Sequence, residues 1–341
     1  MEFFIKYIQQ FLNDYFIKLV LNFGLWIINY FEQEADEKII VKNIKTLKNV
    51  TFKADIANKQ HYELPTEFFE AHLGKYLKYS SCEWNNKLNN IDQAEVYTLK
   101  KYQKMLKLDD LENGDTILEV GNGWGSLCIR NALDYPHLNF ESFSNSKTQI
   151  EYINKQIKRH NIKNLIIWKN DIEHFVKNTD TTDNEKYARI VSIECIEHCI
   201  NYELLFHKFS KILKNDGYCF IQILGHSKNT YIMNKDSWMG RNFFTGGVVP
   251  SMNLFEKFNN HLIVCQKHII SGIQYSKTLD SWLENMYNNK SKIMKILDKH
   301  YPKESNYLYQ SWRMFYLMSS VSFGFNNGKD YCLGYFIMKK K

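Results

Sequence analysis

Proline and repetitive sequence are scarce in this chain, which argues against long flexible linkers. Only four of the 341 residues are proline, and no low-complexity tract or internal repeat occurs. The seven cysteines are an odd, scattered set without a paired spacing. Such a set is typical of reduced intracellular thiols and not of a disulfide framework, so we expect a cytoplasmic protein.

Concentrated positive charge is also lacking. The net charge is +7, but the basic residues are spread along the chain and form no arginine-rich stripe. We therefore expect no nucleic-acid partner.

No apolar run is long enough to span a membrane. The stretch 16–31 has about 16 residues, whereas a spanning helix needs about 20. Residues 1–31 also lack the basic start and small-residue cleavage site of a signal peptide. They fit two amphipathic helices packed on the core or a peripheral contact with a membrane surface, and the sequence leaves both open.

After residue 115 the chain alternates between strand-like and helix-like segments. This alternation predicts an α/β fold with a parallel, doubly wound sheet. The strand-like runs cover residues 116–121, 138–144, 164–170, 188–194, 217–225, 261–270 and 331–340. We expect an N-terminal helical region and cap over 1–105 and a main domain over 106–341. Long inserted segments at about 226–260 and 278–320 would form a substrate lid.

A glycine-rich turn, EVGNGWGSLCIR at 119–130, follows the first predicted strand and precedes a helix. Glycines there let a ligand approach the backbone closely. The spacing is not the G-x-G-x-x-G of dinucleotide sites, and the chain contains no G-K-[ST] sequence of a P-loop. The turn favours S-adenosylmethionine, which carries no phosphate, and leaves a nicotinamide dinucleotide as the alternative.

Several longer motifs resemble one family. They are HYELPTEFFEAHLGKYLKYSSCEW (61–84), LEVGNGWGS, SFSNSKTQIEYI, SIECIEHCINYELLFHKFSKILKNDG, DSWMGRNFFTGGVVPS and SWRMFYLMSSVSFGFNNG. Together they are similar to the coclaurine N-methyltransferase-like branch of the cyclopropane-fatty-acyl-phospholipid synthase superfamily, from about His61 onwards. The resemblance implies a class I methyltransferase (Rossmann-like) fold with seven strands, the last antiparallel, and S-adenosylmethionine bound above the first strand.

The same resemblance implies a set of cofactor-binding residues. Tyr79 and Ser80 would contact the methionine end, above Gly121 and Gly123, while the ribose and adenine would contact Ser144, Asn145, Gln149, Asp171 and Ile172. Purely structural roles remain open for some of them, because Ser146 and Gln149 also form a capping box and Asp171 could be a turn residue. Asn122 stands where the family usually has a small residue or cysteine, a change that the site should tolerate.

The stretch VSIECIEHCI, 191–200, falls at the carboxyl end of the fourth predicted strand, the edge that faces the ligand in such sheets. If a helical turn begins there, Glu194, Glu197 and His198 share one face. A carboxylate can hold an ammonium group and a carboxylate–histidine pair can take its proton, which amine methylation requires. The resemblance implies the same three catalytic residues. A core histidine and a structural glutamate are alternatives. A zinc site would use Cys195, His198 and Cys199, but no second metal-ligand pair is spaced suitably, so we expect no metal.

The resemblance also includes cyclopropane synthases, which hold a bicarbonate with a cysteine, a glutamate, a histidine and a tyrosine. Glu197 and Tyr275 match two of these positions. The cysteine position falls at Ser81, with the adjacent Cys82 as the alternative, and the histidine position falls near Gln222. His226 instead matches a histidine of the N-methyltransferase branch. Glutamine cannot replace histidine in a proton relay, so cyclopropanation is disfavoured.

The aromatic residues of the first insertion, Trp238, Phe243 and Phe244, could form a wall that receives an amine, or could simply pack the lid. With His226 and Tyr275 they complete the predicted substrate site. The sequence therefore favours methylation of a small-molecule amine. A lipid-modifying enzyme and a binding protein without catalysis are the alternatives, and neither the amine nor the oligomeric state can be read from the sequence.

Overall fold

The computed structural model of the chain describes residues 11–31, 37–51, 64–178, 184–234 and 236–341. Nine strands lie in these ranges: β1 (Thr116–Val120), β2 (Asn139–Ser144), β3 (Leu165–Lys169), β4 (Tyr187–Ile193), β5 (Leu213–His226), β6 (Tyr231–Ile232), β7 (Val248–Val249), β8 (Leu262–Ser271) and β9 (Tyr331–Lys340).

Seven of the strands form one sheet in the order β3-β2-β1-β4-β5-β9-β8. The five strands β1 to β5 are parallel to one another. The strand β9 lies between β5 and β8 and is antiparallel to both. The predicted seven-stranded α/β fold with an antiparallel last strand is therefore confirmed. The small antiparallel pair of β6 and β7 had no signal in the sequence pattern.

The α-helices in the described ranges are α1 (Asp14–Phe31), α2 (Glu37–Thr46), α3 (Thr66–Glu70), α4 (Ile91–Met105), α5 (Ser126–Asp134), α6 (Lys147–His160), α7 (Ile172–Lys177), α8 (Tyr202–Ile212), α9 (Trp238–Asn242), α10 (Ile273–Asn288), α11 (Lys290–His300) and α12 (Ser305–Gly324). None of them is both long enough and apolar enough for a membrane span.

Polar residues at the carboxyl edge of the sheet start the following helices. Ser146, Asp171 and Asn201 each accept a hydrogen bond from a backbone N–H in the first turn of α6, α7 and α8 respectively. These side chains satisfy donors that a helix start leaves free. The sequence pattern placed the start of β5 at residue 217, but the helix ends at Ile212 and the strand begins at Leu213.

Alternate residues of the central strands pack on opposite faces of the sheet. Ile117 joins a core with α4 and α5, whereas the next residue, Leu118, joins a core with α7 and α8. This alternation is the two-residue period of a strand covered on both faces.

A third core lies above the carboxyl edge, where α3 meets α10 and α12. Its largest buried side chains include Phe68, Phe69, Trp282 and Trp312. From the N-terminal region, Ile17 of α1 packs into this core, while Ile44 and Val50 pack against the sheet. The proposed division of the chain at residue 105 stays a prediction.

Candidate active site

The glycine-rich turn leaves β1 in a conformation that suits glycine. Gly121, Gly123 and Gly125 have φ angles of +82°, +50° and +82°. A Cβ on Gly121 would lie 2.3 Å from the Sγ atom of Cys195, so this glycine allows the two chain segments to touch. A Cβ on Gly123 would meet no atom within 4 Å, because that residue borders open space.

That open space is a cavity of about 1050 Å³, part of it open to solvent, above the carboxyl ends of β1 and β2. Its lining includes all nine residues that the sequence assigned to the cofactor: Tyr79, Ser80, Gly121, Gly123, Ser144, Asn145, Gln149, Asp171 and Ile172. The structure thus brings the whole predicted set to one cavity.

The structural and binding interpretations of these residues coexist. Ser146 caps α6, as the capping-box alternative predicts, while Ser144 Oγ donates to Gln149 Oε1 over 2.9 Å. That contact fixes the orientation of the Gln149 amide by binding its oxygen. The Nε2 atom of the same amide is buried and has no hydrogen-bond partner among the described residues. Asp171 caps α7 through one oxygen, which accepts from His174 N–H over 2.7 Å. An unpaired amide donor in the wall fits a hydroxyl-bearing ligand such as the ribose of S-adenosylmethionine.

Sequence reasoning missed several polar residues of this cavity, among them Lys78, Tyr102 and Glu119. Asn122, which the sequence placed in the site, also lines it. Burial raises the pKa of Glu119 to about 8, partly offset by a hydrogen bond with Cys128. The Oε2 atom of Glu119 and both polar side-chain atoms of Asn122 are buried and unpaired within the part of the chain that is described. The position of Glu119, two residues before the first glycine, was the only available signal.

A second cavity of about 1080 Å³ lies next to the first. Tyr79, Glu194 and His198 line both cavities. The walls of the second are mostly aromatic and aliphatic, and they include Phe244 and Tyr275, two of the five residues assigned to the substrate from the sequence. They also include residues that the sequence did not single out, such as Tyr231, Leu279, Trp282, Phe315, Phe323 and Tyr331.

Three predicted substrate residues do not line this second cavity. Trp238 and Phe243 are buried in the third core, where the Phe243 ring stacks on Phe315 at 4.4 Å. His226 is buried behind Tyr331, and its Nδ1 atom accepts hydrogen bonds from two backbone N–H groups. An aromatic loop residue fits a cavity wall and a packed core equally well, so the sequence pattern could not separate the two.

Glu194 and its neighbours lie at the junction of the two cavities in an irregular turn. Glu194 has a left-handed φ of +46°, and a short 3₁₀ turn, Ile196–His198, follows. The helical turn considered for residues 194–198 is therefore a 3₁₀ turn that covers only the last three of them. Even so, Glu194, Glu197 and His198 all line the second cavity.

Glu194 is surrounded by hydrogen-bond donors. Its Oε1 atom accepts from the Ser81 backbone N–H at 3.0 Å and from Gln222 Nε2 at 2.6 Å. Burial raises the pKa of Glu194, while the Lys78 ammonium and these donors, with the Tyr275 hydroxyl, act in the opposite direction. Hydrogen bonds from donors favour the ionised carboxylate.

Glu197 is 1% exposed and less well satisfied. Its Oε1 accepts from the Leu224 backbone N–H over 2.7 Å, but its buried Oε2 has no partner in the described ranges. Burial and the charge of Glu194 hold the pKa of Glu197 well above its usual value. Burial also lowers the pKa of the neighbouring His198 to about 4, so its imidazole is neutral at pH 7.

Two of the four positions that would hold a bicarbonate, Ser81 and Gln222, are otherwise engaged, whereas Glu197 and Tyr275 line the second cavity. Gln222 is bonded to Glu194, and the Ser81 hydroxyl donates to the Cys82 carbonyl at 3.4 Å. Neither residue lines either cavity. In the ranges that the structure covers, no three His, Cys, Asp or Glu side chains are close enough to hold a metal ion.

Comparison with known proteins agrees with this geometry. Residues 50–327 match the mycolic acid cyclopropane synthetase family. An (S)-coclaurine N-methyltransferase of Thalictrum flavum subsp. glaucum is 28% identical over 320 residues, 92% of this chain and 86% of that protein. A cyclopropane-fatty-acyl-phospholipid synthase of Escherichia coli (strain K12) is 25% identical over 234 residues, 68% of this chain and 56% of that protein.

Among solved structures, a crystal structure of coclaurine N-methyltransferase bound to N-methylheliamine and SAH superposes with a TM-score of 0.88 and 26% identity, covering 97% of this chain and 96% of that chain. The similarity thus extends into the first sixty residues, where no motif was visible. Because the family match covers most of the chain, this protein belongs to the mycolic acid cyclopropane synthetase family and is an S-adenosylmethionine-dependent methyltransferase.

Proposed function

We propose that the enzyme transfers a methyl group to the nitrogen of a small-molecule amine. The observation that carries this proposal is the position of Glu194 and His198, which line both the cofactor cavity and the aromatic cavity beside it. An amine in the second cavity would meet acid–base groups at the point where it faces the methyl donor.

In this proposal Glu194 holds the incoming ammonium group by charge. Glu197 and the neutral His198 then take one proton from it, which frees the nitrogen lone pair for attack. A raised pKa makes the Glu197 carboxylate a better proton acceptor, and a neutral imidazole has a nitrogen available to accept. S-adenosylmethionine, when bound, supplies a methyl group already activated by the sulfonium charge. The products are the methylated ammonium and S-adenosylhomocysteine.

The aromatic walls suit a cationic or aryl-bearing substrate. Tyr79, Tyr275 and Trp282 lie close together, with ring centroids 5.5 Å apart for Tyr79 and Trp282 and 6.3 Å apart for Tyr275 and Trp282. Aromatic faces attract cations, and the effect increases when water is excluded. Coclaurine and N-methylheliamine are named for relatives of this chain, so (S)-coclaurine and heliamine are suitable first amines to test.

The test supplies purified protein with methyl-labelled S-adenosylmethionine and, in parallel, a panel of amines, vesicles of unsaturated phospholipid, and an extract of its source cells. Label in the aqueous amine fraction, with mass spectrometry placing the methyl on nitrogen, supports the proposal. Label in the acyl chains of phospholipid would overturn it in favour of cyclopropane-synthase-type chemistry.

Acyl-chain modification is the second candidate, since the family includes such enzymes. The engagement of Gln222 by Glu194 speaks against it, because the amide cannot relay a proton. The apolar walls of the second cavity would accept either substrate and do not discriminate.

We also propose that α1 contacts a membrane surface peripherally. Its outward face is apolar, with Tyr15 78%, Phe23 61% and Trp26 58% exposed. Aromatic side chains of this kind are common where a helix lies in a membrane interface, and the net charge of +7 would add attraction to anionic lipid. Residues 1–10 of the predicted contact lie outside the described residues.

Flotation with phosphatidylserine-containing vesicles tests this contact. Phe23→Ser combined with Trp26→Ser should abolish co-flotation, while the surface variant Ile166→Ser, at the far β3 edge, should not. Binding that survives the double substitution would refute the contact. The seven free thiols are compatible with the predicted cytoplasmic location.

A further inference from the structure

Gln222 lies behind Glu194, completely buried on β5. Its Nε2 atom donates to Glu194 Oε1 over 2.6 Å. Its Oε1 atom accepts from the hydroxyl of Tyr102, which is itself fully buried on α4. Tyr102, Gln222 and Glu194 therefore form a continuous chain of hydrogen bonds from helix to strand to site.

The order of this chain fixes the amide orientation. A glutamine amide has one accepting end and one donating end, so a Tyr102 hydroxyl that donates to Oε1 turns Nε2 towards Glu194. The reverse orientation would place the amide oxygen against a Glu194 oxygen, which requires a protonated carboxyl group. The backbone N–H of Ser81 donates to the same Glu194 oxygen. Both neighbours of this oxygen are therefore donors, which favours the ionised carboxylate.

Titratable and hydrogen-bonding groups face Glu194 from the elements packed against it. The segment before α4 contributes the Lys78 ammonium and the Ser81 N–H, and α10 contributes Tyr275. On its own turn, Glu194 acts electrostatically on Glu197. Across the site, it acts on Cys82 and Tyr102. Among these groups Lys78 carries a positive charge. The Gln222 amide adds a hydrogen bond of 2.6 Å, shorter than the 3.0 Å bond from the Ser81 N–H to the same oxygen.

We propose that Gln222, oriented by Tyr102, is a positioning residue that keeps Glu194 ionised and in a single rotamer. Glu194 then acts as a fixed anion for the substrate ammonium, and Glu197 is left to exchange protons. The catalytic consequence rests on the amine methylation proposed above. The hydrogen bonds from Tyr102 to Gln222 and from Gln222 to Glu194, which we call the clamp, do not depend on it.

The clamp is tested first without any amine. Protein carrying glutamate labelled with ¹³C at the carboxyl carbon is titrated by NMR, and the Glu194 resonance is identified by its absence in Glu194→Gln. Gln222→Met should raise the titration midpoint of Glu194 by about one pH unit, because one charge-assisted hydrogen bond is lost. Tyr102→Phe, which keeps the amide but frees its orientation, should raise it by a smaller amount.

Gln103→Met is the matched control. Gln103 neighbours Tyr102 on α4, but its amide bonds Asn131 and Asp134, away from both cavities. The Gln103→Met variant should leave the titration midpoint of Glu194 unchanged. A midpoint that does not move in Gln222→Met would overturn the clamp, and if that variant fails to fold, an unmoved midpoint in Tyr102→Phe would do the same.

The second readout is the pH profile of kcat/KM, measured with an amine from the panel above that the wild-type enzyme methylates. The acidic limb, where Glu194 must be ionised, should move to higher pH in Gln222→Met by the same amount as the NMR midpoint. A shifted midpoint with an unmoved acidic limb would overturn the catalytic role. If the wild-type protein methylates no amine, amine methylation itself fails, while the NMR titration still decides the clamp.

Discussion

At the scale of single residues, two glutamates close in sequence have different surroundings. Glu194 meets several donors and an ammonium group, while Glu197 has one donor and an unpaired buried oxygen. Different environments of this kind separate the pKa values of two carboxyl groups and so separate their roles. The residue that binds charge and the residue that exchanges protons can then be distinguished by substitution.

Glu197→Gln should lower kcat by about 10²- to 10⁴-fold, because it removes a proton acceptor without changing volume. Since Glu197 does not line the cofactor cavity, the affinity for S-adenosylhomocysteine should stay close to that of the wild type. Steady-state kinetics with calorimetric binding checks both quantities. Equal losses in turnover and cofactor affinity would contradict the assignment.

Gly121 and Gly123, which differ in the space around a Cβ, give a second prediction. Gly121→Ala places a Cβ against Cys195 and should lower the free energy of unfolding by more than about 2 kcal/mol, combining a clash with left-handed strain. In Gly123→Ala the added Cβ would meet no protein atom and would instead enter the cofactor cavity. Its main effect should therefore be to weaken the binding of S-adenosylhomocysteine about tenfold or more.

Gly114→Ala separates strain from ligand contact. Gly114 has a φ of +88° and open surroundings, but it lies outside the cofactor cavity. It should cost about 1 kcal/mol of stability and leave cofactor binding unchanged. If Gly114→Ala weakened binding as much as Gly123→Ala, direct contact at Gly123 would be ruled out. Denaturant titration and calorimetry provide the two measurements.

At the scale of the element, α1 turns its charged residues and Ile17 towards the protein, whereas most of its large apolar residues point outwards. Asp14 pairs with Arg313 of α12, and Lys18 pairs with Asp280 of α10 at 2.7 Å. Amphipathic helices of globular proteins usually have the opposite arrangement. The sequence predicted an amphipathic helix here but could not show which face points inwards, because that depends on residues almost 300 positions away, as with Asp14 and Arg313.

The two ion pairs of α1 should differ in strength. The Arg313 side chain is 8% exposed, so Asp14→Asn leaves a nearly buried guanidinium short of a counter-charge and should cost about 2 kcal/mol. Lys18 and Asp280 are 32% and 44% exposed, so Lys18→Met should cost less than about 1 kcal/mol. Urea denaturation of the two variants provides the comparison, and equal costs would contradict this ranking.

Elements were easier to predict than the polar lining of the site. The apolar runs predicted the seven strands of the main sheet. The motifs identified nine cofactor residues, all of which line one cavity in the structure. Lys78, Glu119 and Tyr102 were missed because the burial of a polar group depends on neighbours from other elements. Trp238 and Phe243 were misplaced because aromatic composition does not distinguish a lid from a core.

At the scale of the whole molecule, contacts between distant parts of the chain hold the cap over the site. His72, just after α3, donates from Nδ1 to the Phe68 carbonyl at 2.7 Å and accepts at Nε2 from the Tyr316 hydroxyl at 2.6 Å. This pattern needs the neutral imidazole. Burial lowers the pKa of His72 to about 4.

The His72 pair predicts a specific pH dependence of stability. The unfolded chain takes up a proton at about pH 6.5, while the folded protein resists protonation down to about pH 4. The contribution of neutral His72 is therefore full above pH 6.5 and is lost progressively as the pH falls towards 4. The difference in unfolding free energy between wild type and His72→Phe should shrink over that window. A difference that is constant from pH 7 to 4.5 would contradict a neutral buried His72.

The antiparallel strand β9 also determines when the sheet can be completed. It separates β5 from β8, yet it leaves the ribosome after both of them. Until it arrives, both neighbours present open edges, which are templates for pairing with other chains. Nascent or truncated forms that lack residues 331–340 should therefore depend on chaperones and aggregate, so fusion partners intended to aid expression are better placed at the N-terminal end.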